Sequence, residues 1–255
     1  ACTSGINAEG SVMKTVSKRW LSVLFAIACT APVMAGAADA PKAAPPSDKD
    51  LASTHCVIGE EKFLPGDYYY CIASQSYGQH DYVNAKRFFT TAASWASKPA
   101  QYVLGVMALN GDQQPANRPL ALAWLSLAAE RANSSFKADY QAAYDSATAA
   151  DRKAAEDLLA KMKPVYADAT AAPRAEQRYA QGMAMLSRLD TGGSTYCMAG
   201  IAAQDESAAS ASQSCPQIQV VAAGIDRAAV AVFDGWAGHV SVGPLQQAEA
   251  PKGVK

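Results

Sequence analysis

Cysteine is the side chain in this sequence most able to form new bonds, and there are six: Cys2, Cys29, Cys56, Cys71, Cys197 and Cys215. No Cys-x-x-Cys spacing occurs, and the three histidines (His55, His80, His239) are scattered, so the cysteines are not arranged as a metal site. Cys2 and Cys29 fall in an N-terminal stretch with the marks of an export signal. The remaining four form an even set, which in an exported chain points to disulfides. Of the three possible pairings, the two local ones, Cys56–Cys71 and Cys197–Cys215, are expected, because each would tie off a loosely held end. Closing a loop of about 15 residues is worth about 3 kcal/mol on the chain-entropy account.

Other candidate chemistry is sparse. Gly192-Gly193-Ser194 has the composition of a nucleophile turn that His239 would serve as base, but a Gly-Gly-Ser run reads first as a loop. Glu60-Glu61 is an adjacent carboxylate pair, and adjacent side chains point apart, so a solvated surface is expected there. No Gly-x-Ser-x-Gly elbow, phosphate-binding glycine loop or His-Glu-x-x-His helix is present. The sequence therefore predicts no catalytic, metal or cofactor residues. Its richest feature is aromatic: Tyr68, Tyr69, Tyr70, Tyr77 and Tyr102, joined by Tyr82. Tyrosine combines apolar area with a hydrogen-bonding tip, and three in a row cannot all face one buried stripe, so this group is the expected partner-binding surface.

These residues sit behind a segment with the features of an export signal. Residues 1–12 read as an upstream extension. Residues 13–37 read as a signal peptide: Lys14, Lys18 and Arg19 form a basic start, Trp20 to Ala28 is apolar, and small residues follow to Ala38. A run of about 9 apolar residues suits a signal core and is far short of the ~20 that span a membrane. Cys29 lacks a Leu three residues before it, so a lipid anchor there is not expected. Residues 38–53, rich in Ala and Pro, read as a flexible linker. The whole chain has 22 Lys and Arg against 23 Asp and Glu, which gives no electrostatic reason to expect nucleic acid.

Residues 54–189 read as a helical domain. Ala85, Phe88, Phe89, Ala92 and Ala93 recur thirty-six positions later as Ala121, Trp124, Leu125, Ala128 and Ala129. Spacings of three and four bury one helix face, and their recurrence at a fixed period indicates stacked helical units. Asp81, and Asn117 with Pro119, supply the start signals of those two helices. Pro99 to Gly111, with Leu104, Gly105 and Ala108, reads as an antiparallel partner whose small residues allow close approach. Tyr68 to Tyr77 would be the matching helix of the preceding unit. Phe136, Tyr140 and Tyr144, then a helix capped by Thr148 and Asp151 and stopped by Pro164, then one opened by Pro173, read as a cap over the stack.

Residues 190–245 read as a small separate module. Ile218 and Val220, Val230 and Val232, and Val240 and Val242 alternate as strands do, with Asp234-Gly235 as a hairpin signal, although a short helix over 226–233 fits the same stretch. Residues 246–255 read as a disordered tail.

Ala100 to Arg131 resembles a Sel1-like repeat, a relative of the tetratricopeptide repeat, through Leu104-Gly105, Gly111, Ala121, Trp124-Leu125 and Ala128-Ala129. Ala108 stands where the family usually carries an aromatic. Arg131-Ala132-Asn133 stands where it carries a glycine, as suits a terminal unit. The resemblance implies a mainly α, superhelical stack that serves as a periplasmic scaffold, binding another envelope protein on its concave face. The tyrosines keep a glycan-binding or peptidoglycan-binding reading alive, and an enzyme would have its site after Asp190.

Overall fold

The computed structural model describes residues 46–198 and 215–238. The expected signal peptide, Cys29, His239, Val240, Val242 and the tail lie outside the described residues. Among them, the regular structure is almost entirely helical, with nine α-helices, one 3-10 turn and one isolated β-bridge.

Two antiparallel hairpins form the middle of the stack. In the first, α2 (Pro65–Gly78) lies against α3 (Tyr82–Ser94). In the second, α4 (Lys98–Asn110) lies against α5 (Arg118–Ala128). Their starts are set locally. The Asp81 carboxylate accepts from the Asn84 N–H at 3.2 Å, and the Asn117 side chain accepts from the Leu120 N–H at 3.0 Å, each satisfying a donor that the first turn leaves free. Residues at matched positions are buried alike: Ala85 with Ala121, Phe89 with Leu125, Ala92 with Ala128. Phe88 is half-buried, whereas Trp124 is buried. A Cβ on Gly105 would fall 2.7 Å from Leu125 Cγ, so a side chain there would force α4 off α5.

The later helices wrap this pair. α6 (Lys137–Asp145) and α7 (Ala149–Tyr166) both pack on α5. The capping box at α7 is formed, with Thr148 and Asp151 each accepting from the other's backbone N–H. Leu159, Met162 and Tyr166 of α7 close one core over Ala85, Phe89, Leu104, Trp124 and Leu127. Tyr140 and Tyr144 of α6 close a second core over Leu122 and Leu125. The two prolines do not act as boundaries. Pro164 lies inside α7, and Pro173 lies inside α8 (Asp168–Leu189), each removing one ladder bond that its helix absorbs.

Both ends of the chain segment differ from the sequence expectation. Within the stretch read as linker, Asp48–Ala52 forms α1, which starts on a Ser47–Asp50 capping box and docks on α2. Residues 218–232 form no strands. Ile218–Val232 is one helix, α9, buried through Ile218, Val221, Ile225 and Ala229 at spacings of three and four. The misleading alternation came from Val220 and Val230, which are 48% and 60% exposed; their β-branched shape favours strands, and the buried stripe outweighs it. Among the described residues the extended pairing is a single antiparallel bridge, Thr195 to Gln217, next to the Cys197–Cys215 disulfide.

The described helix of this region joins the helical body. α9 packs on α8, and together they bury Phe63, Leu64, Leu186, Val221, Ile225 and Phe233 in a third core. A Cβ on Gly182 of α8 would lie 2.5 Å from Phe63 Cδ1, so α8 rests directly on the segment that enters α2. The Cys56–Cys71 disulfide fastens that entering segment to α2 itself.

Candidate functional site

The tyrosines expected to form one binding face are dispersed, and all five are partly buried. Tyr69 stacks on Phe88 at 6.2 Å, and Tyr70 leans on Phe89 at 5.8 Å. The Tyr77 hydroxyl donates to the Asp112 carboxylate, which together with burial raises its pKa above the ordinary phenol value. Tyr102 stacks on Phe136 at 4.5 Å and donates to Asp139 Oδ2 at 2.8 Å. Tyr68 faces a shallow hollow, with Cys56, Ile58 and Ile72 beside it. The outer faces of α2 and α4 are thus covered by the chain's own additions, the entering segment and α6.

Ser194 also has partners. Its Oγ accepts from the Thr191 N–H at 3.2 Å and lies 2.9 Å from Thr191 Oγ1, which holds the glycine turn closed. The Glu60-Glu61 expectation is overturned at Glu60, which is only 6% exposed. Glu60 opens the 3-10 turn Glu60–Lys62 immediately before the core residues Phe63 and Leu64, and their burial draws it inward. Burial, with Asp67 and Glu61 nearby, pushes its carboxyl up to about 8. Among the described residues, no group of three His, Cys, Asp or Glu side chains is placed to hold a metal ion.

Concave surfaces also lie away from those five tyrosines, two of them among the larger. A groove of about 720 Å³ runs along α3, where Val83 is 83% exposed and Tyr82, Lys86, Arg87 and Thr90 line it, with Met107 of α4 across from them. The second is a cleft of about 600 Å³ where four segments meet: the first turns of α2 and α4, the α5–α6 loop, and α9.

Beside that cleft lies a charge cluster assembled from distant parts of the chain. Lys98 Nζ donates to the Leu127 carbonyl at 3.0 Å and to Gln101 Oε1 at 3.1 Å. It also pairs with Glu130 and, at 3.0 Å, with Asp168 Oδ1. Arg131 Nε donates to Asp168 Oδ2 at 2.8 Å, while its Nη1 donates to the carbonyls of Val232 and Asp234 at 2.8 and 2.9 Å. Gln101, fully buried, donates to the Ala93 and Tyr166 carbonyls. Two cations and two anions match one another, as buried charges must. Three other charged residues line the cleft: Asp234 accepts from Asn133 Nδ2 at 2.7 Å, whereas Asp67 and Arg227 have no ion pair or hydrogen bond to their side chains among the described residues. Burial raises the Asp67 pKa.

Sequence reasoning missed this cluster because its members lie some thirty to seventy positions apart. The one local signal was Gln101, a polar residue between the buried Ala100 and Leu104. No family model, curated protein or solved structure matches the chain.

Proposed function

We propose that the protein is a helical-repeat scaffold of the periplasm, built from a Sel1-like pair of hairpins, that binds another envelope protein. The observation that carries this reading is the matched burial of residues thirty-six apart in α3 and α5, together with the close approach of Gly105 to Leu125. Helical stacks of this kind use their open surfaces to hold partners. Two disulfides and the N-terminal basic and apolar stretch support an oxidising compartment outside the cytoplasm.

The partner surface moves from the tyrosines to the α3 groove. There Val83 and Met107 offer apolar anchors, and Lys86 and Arg87 flank them, which favours a partner segment that is apolar in the middle and acidic at its edge. A photo-crosslinking residue placed at Val83 tests this in cells, with one at the exposed Lys153 of α7 as control. A defined adduct from position 83 that is lost in Lys86→Glu/Arg87→Glu supports the groove. Adducts only from position 153, or none from 83, refute it.

A further inference from the structure

The groove along α3 has a filled counterpart thirty-six positions later. Lys86, Arg87 and Thr91 of α3 match Leu122, Ala123 and Leu127 of α5, and Met107 of the facing α4 matches Ala143 of α6. In α5 these positions are closed over: Leu122, Ala123 and Leu127 are buried, whereas Lys86 and Arg87 are exposed. The cover is α7, which packs on α5. Its Ala155 shares a core with Leu122 and Ala143, and its Leu159 and Met162 share one with Leu127. Over α3 the matching space is the open groove of about 720 Å³. Given the reading that this groove is the partner surface, we propose that it seats an α-helix of the partner, as α5 seats α7, with acidic side chains where α7 is apolar.

The backbone argues for a helix. An extended segment brings N–H and C=O groups that need partners when they leave water. The groove walls are α3 and the end of α4, whose own backbone bonds are already made, and no strand borders them among the described residues. A helix satisfies its own backbone and offers only side chains, which is how α7 meets α5. The α3 wall from Tyr82 to Thr91 runs for ~14 Å, room for roughly nine residues of a docked helix.

Charge sets the composition of that helix. Lys86 Nζ donates to the Gln114 amide oxygen, and Arg87 lies over the Phe88 ring at 4.7 Å, so neither cation forms an ion pair among the described residues. The nearby Asp81 carboxylate is engaged at the start of α3 by Asn84. Two cations without a carboxylate therefore stand where α5 carries Leu122 and Ala123, and they favour an acidic helix over a second copy of α7. Val83 and Met107 remain as apolar contacts beside them.

Fluorescence anisotropy of the intact protein with labelled peptides tests the seat. The probe is the α7 sequence from Ala149 to Lys163 carrying Arg152→Glu and Ala155→Glu, and its counterpart carries Arg152→Lys and Ala155→Lys. The acidic peptide is expected to bind with a Kd below ~1 mM, and the basic one about tenfold or more weaker. Lys86→Glu/Arg87→Glu should reverse that preference. Both residues are exposed, so the variant is expected to keep the parent's melting curve. Ala160→Pro in the acidic peptide, on the solvent side of α7, should abolish binding by breaking the helix while leaving the contact residues in place. No binding of the acidic peptide, a preference that survives the charge reversal, or equal binding of the proline peptide would each overturn the helix seat. Crosslinking from Val83 in cells reads the groove separately: an adduct there beside failed peptides removes the helix and leaves the groove as the partner surface.

Discussion

The Arg131 guanidinium donates to the main-chain carbonyl of Val232 at 2.8 Å, joining the end of α5 to the end of α9 across a hundred residues of chain. The same side chain holds Asp168 at the start of α8, so one residue fixes three helix ends. Replacing Arg131 with Leu leaves the Asp168 carboxylate with Lys98 as its remaining cation and frees the last turn of α9. Loss of one partner from a buried charge network costs about 3–5 kcal/mol. Urea denaturation is expected to show a loss of that order. A change below about 1 kcal/mol would mean that solvent replaces the arginine without penalty.

Trp124 is the largest side chain of the α5 stripe, held edge-on to Tyr166 at 4.7 Å and packed in the core with Leu104. Trp124→Ala should destabilise by about 3–5 kcal/mol, because the α4–α5 and α5–α7 contacts collapse around it only in part. Thermal melts with matched circular dichroism at low temperature check both the loss and the integrity of the remaining helix.

Glu60 gives stability a pH dependence of unusual sign. Its carboxyl is raised in the folded state to about 8, so the folded protein holds a proton that the unfolded chain gives up near its ordinary value of 4.5. Its contribution is therefore fully present below about pH 4.5, declines as pH rises, and is gone above about pH 8. The fall amounts to on the order of 3–5 kcal/mol across that window. Glu60→Gln keeps the neutral shape and removes the titration. The parent's melting temperature should drop from mildly acidic to mildly alkaline buffer, and the variant's should drop much less.

Deletion of residues 191–255 should abolish cooperative unfolding. It strips Ile218, Val221, Ile225 and Phe233 from the core that covers Phe63, Leu64 and Leu186, and removes the carbonyls that Arg131 holds. The truncated chain is expected to bind a hydrophobic dye strongly and to melt broadly. A sharp melt near the parent's temperature would show that α9 is an accessory after all.

Where the determinants are local, the sequence was readable. Asp81, Asn117 and the Thr148–Asp151 pair cap helices a few residues away, and both disulfides join cysteines close in sequence. α9 was misread because valines lie on its exposed side as well as its buried one, so a two-residue rhythm overlay the helical one. The charge cluster was unreadable for a different reason. Lys98, Glu130 and Asp168 acquire meaning only once α4, α5 and α8 are in place, and nothing near each residue announces the others. Glu60 belongs to the same class, since its sequence neighbourhood does not reveal that the folded chain will bury it.

The two disulfides enclose separate stretches of chain, one spanning 15 positions and the other 18, with all the helices from α3 to α8 between them. Among these four cysteines, each therefore has its native partner as its nearest neighbour along the chain. In the unfolded chain the two short loops close at less entropic cost than any crossed pairing over more than a hundred residues. The native connectivity is thus favoured before any helix forms, and oxidation of the unfolded chain leads to it with little need for shuffling.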